Sequence, residues 1–72
     1  MNKKELQFTV FCIESIAENL NLNGAAVYNL LAVESKILDD YIISNYETLH
    51  TQGKEYIVND IVEYMKKDGL LR

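Results

Sequence analysis

Apolar residues near the start of the chain keep a helical rhythm. Leu6, Val10, Ile13, Ala17 and Leu20 recur at three- and four-residue steps, with Phe11, Cys12 and Ile16 widening the stripe. Gln7, Glu14, Glu18 and Asn21 fall on the opposite side, so the spacing predicts a helix from about Lys3 to Leu20. Its apolar arc is wide enough to predict contact with two or three other helices. "NLNG" interrupts the rhythm, and Asn23 is placed to cap the next helix by accepting a bond from an unpaired backbone N–H. That helix is predicted from about Gly24 to Glu34, with Val27, Leu30 and Leu31 apolar and Ala26 and Ala32 as small spacers.

Ser35 is the next capping candidate. Beyond it, "KILDDYIISNYETL" sets Leu38, Ile42 and Leu49 on one side with Ile37 and Tyr41 nearby, a third helix expected to fray near Ser44 and Asn45. A fourth, from Lys54 to Lys67, aligns Ile57, Val58, Ile61, Val62 and Met65 and turns Asn59, Asp60, Glu63 and Lys66 outward. Lys66 and Lys67 complement the negative end of its dipole, and Gly69 supplies a left-handed stop. The β-branched run "YIVNDIV" has some strand character, but its spacing is nearer 3.6 than 2 and no second strand is available to pair with it. The predicted architecture is an all-α bundle of four helices, a single domain over residues 1–72 with the first and last helices longest.

Size makes such a bundle marginal. A chain of 72 residues buries only roughly 60% of the surface that its unfolded form exposes. One cysteine, Cys12, excludes an intrachain disulfide, and no Cys/His spacing suits zinc, so a tight core and association with another chain are the remaining stabilisers. Cys12 lies between Phe11 and Ile13 in the apolar stripe and reads as a core residue. No run approaches the ~18 apolar residues of a membrane span. Glu14 and Glu18 stand where a signal peptide needs apolar and small residues, so the expectation is a cytoplasmic protein. The formal charge is −4, and from Glu5 to Gly53 seven acids face one base, Lys36. That balance repels phosphate and disfavours nucleic acid as a partner.

Candidate chemistry is sparse. His50, the only histidine, sits in the polar joint "TLHTQG", where it suits a bond to the last carbonyls of the third helix better than catalysis, since Thr48 and Thr51 belong to no recognisable motif. Asp39 and Asp40 are adjacent on a helix and point about 100° apart, which makes them a solvated acidic face rather than a metal site. No cofactor is expected. Five tyrosines, with no tryptophan, dominate the aromatic residues. Tyrosine covers apolar area while keeping one polar tip wet, a property favoured at core edges and in interfaces. Tyr56 and Tyr64 lie off the Ile57, Ile61, Met65 stripe. A helix-turn-helix reader made of the second and third helices would bring one lysine and two aspartates to DNA.

The segment "LDDYIISNYETLHTQGKEYIVNDIVEYM", preceded by "VYNLL", resembles a bacterial family of small all-helical domains of unknown function. Tyr46, Leu49, His50, Gly53, Tyr56, Val58, Asp60 and Ile61 carry the most specific part of the likeness. Members of that family are encoded close to genes for proteins that look like ADP-ribosyltransferase-type toxins. The resemblance thus implies a toxin–antitoxin or accessory role, and it assigns no residue a chemical task. The expectation is a non-enzymatic interaction module that binds a protein partner, such as a toxin of that type, through Tyr46, His50, Tyr56 and Tyr64. Self-association into a homodimer is the second expected contact. Against it stand a dimeric DNA-binding regulator and an enzyme or metal protein centred on His50.

Overall fold

The computed structural model describes residues 1–71. Helix α1 spans Lys3–Leu20 and opens with a reciprocal capping box: Glu5 N–H donates to Asn2 Oδ1 at 2.8 Å, and Asn2 N–H donates to Glu5 Oε1 at 3.0 Å. It ends at Asn21, which is left-handed at φ 56°, while the Leu22 N–H reaches back to the Ala17 carbonyl. This reversal needs a residue that tolerates positive φ, and asparagine does so at little cost. Helix α2, Gly24–Tyr28, begins under the Asn23 side chain, which accepts the Ala26 N–H at 2.8 Å.

Without a break α2 widens into a π-helical turn, Asn29–Val33, closed by the Glu34 N–H bonding the Asn29 carbonyl at 2.8 Å. The expected second helix is therefore present but changes gauge halfway. The expected third is divided into α3, Leu38–Ile43, which is itself π-helical, and α4, Tyr46–Leu49. The division falls at Ser44 and Asn45, the residues expected to fray. Asn45 donates its side-chain Nδ2 to the Tyr41 carbonyl at 2.8 Å, ending α3, and its own carbonyl accepts the Leu49 N–H at 2.8 Å, starting α4. Helix α5 covers Lys54–Lys67 and closes through Gly69, φ 75°, as its sequence predicts. The fold is all-α, with no strand among the described residues.

Helix α1 is the hub. At about 1.5 Å per residue its 18 residues extend about 27 Å, close to the molecule's longest dimension of 30 Å. It packs against α2, α3 and α5. Its buried spine is Phe8, Cys12 and Ile16, one every four residues, flanked by Thr9, Ser15 and Ala17. These meet Val27, Leu31, Ile37, Leu38, Ile42 and Leu49 from the middle of the chain and Ile57, Val58, Ile61, Val62 and Met65 from α5. Thr9 is accommodated because its hydroxyl donates to the Glu5 carbonyl at 2.8 Å.

The centre of the α1 stripe differs from that expected. Leu6, Val10 and Phe11 are 53%, 45% and 39% exposed. Apolar residues surround more of α1 than its neighbours can cover, and the three helices packed on it gather around Phe8, Cys12 and Ile16. Periodicity gave the width of the arc, but not which part of it is left open.

The clasp between the two wide turns is Ser35. Its hydroxyl donates toward the Leu30 carbonyl at 2.7 Å and lies 3.3 Å from the Leu31 carbonyl, while accepting the Ile37 N–H at 3.3 Å. A Ser35→Ala variant loses these bonds and leaves partly buried backbone groups short of partners. It should be less stable by about 1–2 kcal/mol, read as a lower urea midpoint at unchanged slope.

Candidate functional site

The four tyrosine and histidine positions singled out in the sequence fall into two aromatic groups. The first is a ladder running from α1 to α4. Phe11 stacks near Phe8 with centroids 6.3 Å apart, the Phe8 and Tyr46 rings meet edge to face at 5.4 Å, and the Tyr46 ring stacks on His50 at 4.4 Å and 8°. Phe8 is buried and Tyr46 half-buried, whereas Phe11 and His50 at the two ends reach solvent. Edge-to-face and offset contacts of this kind suit aromatic quadrupoles and hold the rings in fixed orientations.

His50 Nδ1 lies 2.6 Å from the Tyr46 carbonyl oxygen. A carbonyl can only accept, so Nδ1 carries the proton and donates, leaving Nε2 of the neutral ring as the outward acceptor. The same carbonyl accepts the His50 backbone N–H at 3.0 Å. His50 thus terminates α4 with main chain and side chain together. The joint that follows is pinned by the Thr51 hydroxyl donating to the Thr48 carbonyl at 2.8 Å.

The second group joins α3 to α5. Tyr41 and Tyr64 rings lie 4.8 Å apart at 44°, and the Tyr41 hydroxyl donates to the Asp60 carboxylate. Burial, that hydrogen bond and the Asp60 charge push the Tyr41 phenol up to about 12, and Tyr56 and Tyr64 lie near enough to add to the shift. Tyr56 is 57% exposed and Tyr64 half-buried. The sequence did not single out Phe8, Phe11, Tyr41 or Asp60 for this role. The four-residue step Phe8, Cys12, Ile16 was a usable sign for Phe8, but nothing local connects Tyr41 to Asp60, nineteen residues on.

Two shallow openings flank α1. A cleft of about 430 Å³ between α1 and α5 is lined by Ser15, Glu18, Asn19, Lys54, Glu55, Val58 and Asn59. Another of about 390 Å³ lies on the outer side of α1, along Gln7, Val10, Phe11 and Glu14, and shares Ser15, Glu18 and Lys54 with the first. Lys54 and Glu18 stand 3.5 Å apart on the shared rim, a solvent-exposed pair that adds little stability. Cys12 is fully buried, and burial pushes its thiol up to about 12. Among the described residues no group of three or more His, Cys, Asp or Glu could hold a metal ion, and no helix is long and apolar enough to cross a membrane.

Two measurements follow from these ionisations. Thiolate is the reactive form of cysteine, so Cys12 in the native protein should resist alkylation at pH 8 and react at the rate at which the chain opens. Labelling as fast as that of a free thiol would place Cys12 outside the core. Both Cys12 and Tyr41 keep their protons in the folded state at pH values where the unfolded chain, near 9 and 10, gives them up. The stability they contribute is complete below about pH 9 and is lost as pH rises toward 12. Absorbance at 295 nm should show one tyrosine ionising about two pH units late, and Tyr41→Phe should remove that late step and part of the alkaline loss of stability.

No curated protein and no solved structure matches the chain. A protein-family comparison does find a match, over residues 7–68, which takes in the core of α1, both wide turns, the aromatic groups and α5. The chain therefore belongs to the family described as "Protein of unknown function (DUF3791)".

Proposed function

We propose that this chain is a non-enzymatic interaction module that docks a partner protein with a basic contact surface. The observation that carries the reading is the α3–α5 group: Tyr56 is 57% exposed beside a Tyr41–Asp60–Tyr64 cluster already fixed by a hydrogen bond and ring packing. Aromatic rings held in place before contact lose little conformational entropy on binding, which is the property of interface anchors. Asp39 and Asp40, which precede Tyr41, and Glu63, which precedes Tyr64 and pairs with Lys66 at 3.8 Å, are exposed, and a lysine or arginine of the partner would meet carboxylates and ring faces together there. Tyr46 and His50 on α4 form a second aromatic patch for the partner, with His50 offering its Nε2 as an acceptor. The exposed Asp39 and Asp40 on α3 also weigh against that helix reading DNA, since it would turn two carboxylates toward phosphates.

The family resemblance set out above takes the reading one step further, to an antitoxin or accessory protein for an ADP-ribosyltransferase-like toxin encoded beside it. An acidic, tyrosine-bearing surface is suited to covering a basic nucleotide-binding cleft in such an enzyme. The test is co-purification from the native cell with the wild type and with two variants, Tyr56→Ala and His50→Ala, each first shown to be folded by circular dichroism. A specific partner should be retained by the wild type and bind Tyr56→Ala about tenfold or more weakly, the scale of an interface tyrosine. A partner indifferent to both variants, or a DNA shift at low salt, would refute the proposal.

A further inference from the structure

The outward face of α1 contributes little to the fold, through Phe11 beside Phe8 and Glu18 beside Lys54, and does not belong to the tyrosine group on α3 and α5. Lys3, Gln7, Val10, Phe11, Glu14 and Glu18 line it, all exposed, at the three- and four-residue steps of a continuous helical stripe. Two apolar side chains, Val10 and Phe11, occupy the middle of this stripe, 45% and 39% exposed. Lys3 and Lys4 mark its N-terminal end, and Glu14 and Glu18 its C-terminal half.

That order is its own complement under a two-fold rotation. In an antiparallel pair of α1 helices crossing between Val10 and Phe11, residues equidistant from the midpoint face each other. Val10 meets Phe11 of the second copy, Gln7 meets Glu14 of the second copy, and Lys3 and Lys4 reach Glu18 of the second copy. Every opposed pair is then apolar with apolar, amide with carboxylate, or ammonium with carboxylate. A parallel pairing would instead set lysine on lysine and glutamate on glutamate. Glu18 remains largely exposed beside Lys54 of its own chain, so it is free to share a second cation. A closed two-fold contact uses one surface patch twice, as this stripe allows, and no second patch is required.

We infer that the outward face of α1 is the contact of a homodimer, formed by antiparallel pairing with a second copy of this chain. A contact confined to one helix from each copy is small, so the dimer dissociates readily and forms at micromolar to millimolar concentration. Sedimentation equilibrium of the full chain from about 10 µM to about 1 mM therefore reads it directly, since mass action moves the monomer–dimer balance across that range.

Phe11→Glu should raise the dissociation constant at least tenfold. Lys3→Glu with Lys4→Glu, and separately Glu14→Lys with Glu18→Lys, should each weaken self-association, and mixing the two charge variants should restore a dimer with one copy of each. Glu34→Lys with Asp68→Lys, both exposed, makes the same change in net charge as the glutamate pair away from α1 and should not disturb the α1 contact. Far-UV circular dichroism checks that each variant is folded, and the restored mixed dimer distinguishes a lost contact from a lost fold. A chain that stays monomeric at 1 mM overturns the inference, as does a dimer unaffected by the α1 variants or charge variants that fail to recover on mixing.

Discussion

The packing of Phe8, Cys12 and Ile16 into the single core that α1 shares with the rest of the chain is the contact on which the molecule depends. The elements of the middle of the chain are short: α2, α3 and α4 have five, six and four residues, well below the length at which a helix persists alone in water. They are helical because α1 provides an apolar wall against which Val27, Leu31, Ile42 and Leu49 can be buried, at roughly 1.5–3 kcal/mol for each side chain removed from water. Only α1 and α5, with 18 and 14 residues, have enough length and punctuation to define themselves. The chain between them is shaped to fill the remaining volume.

This explains which parts of the fold were legible from the sequence. Both long helices have the ends that their caps and apolar spacing imply, and Asn23 and Gly69 have the backbone roles that their residue types suggest. The wide turns at Asn29–Val33 and Leu38–Ile43 had no such signal. A π turn differs from an α turn by one residue in its hydrogen-bond step, and "NLLAV" and "LDDYII" satisfy either. The choice is made by the need to bury Leu31, Ile37, Leu38 and Ile42 together, with Ser35 holding the joint, and this tertiary condition leaves no periodic trace.

The aromatic groups were legible in kind but not in partnership. A tyrosine-rich composition pointed to amphipathic edges, and the polar setting of His50 pointed to a helix end; its Nδ1 does bond the Tyr46 carbonyl. That Tyr46 also lies against Phe8, and Tyr41 against Tyr64 and Asp60, depends on how α1 and α5 approach the middle of the chain. Leu6, Val10 and Phe11 show the same limit: their periodicity placed them on a helix, while the positions of neighbouring helices decided that they meet solvent.

The two wide turns also constrain how the sequence can drift. Removing a single residue from Asn29–Val33 or from Leu38–Ile43 returns the segment to ordinary α geometry without straining the backbone, so neither loop closure nor hydrogen bonding opposes such a loss. The side chains beyond the turn also keep nearly the direction they had, since a π turn spends one extra residue to complete the same full turn, so the change is felt inside the turn, where Leu31 and Ile42 are buried. A one-residue loss is thus absorbed more easily at the wide turns than within α1 or α5, where every later side chain would turn by about 100° away from its place in the core.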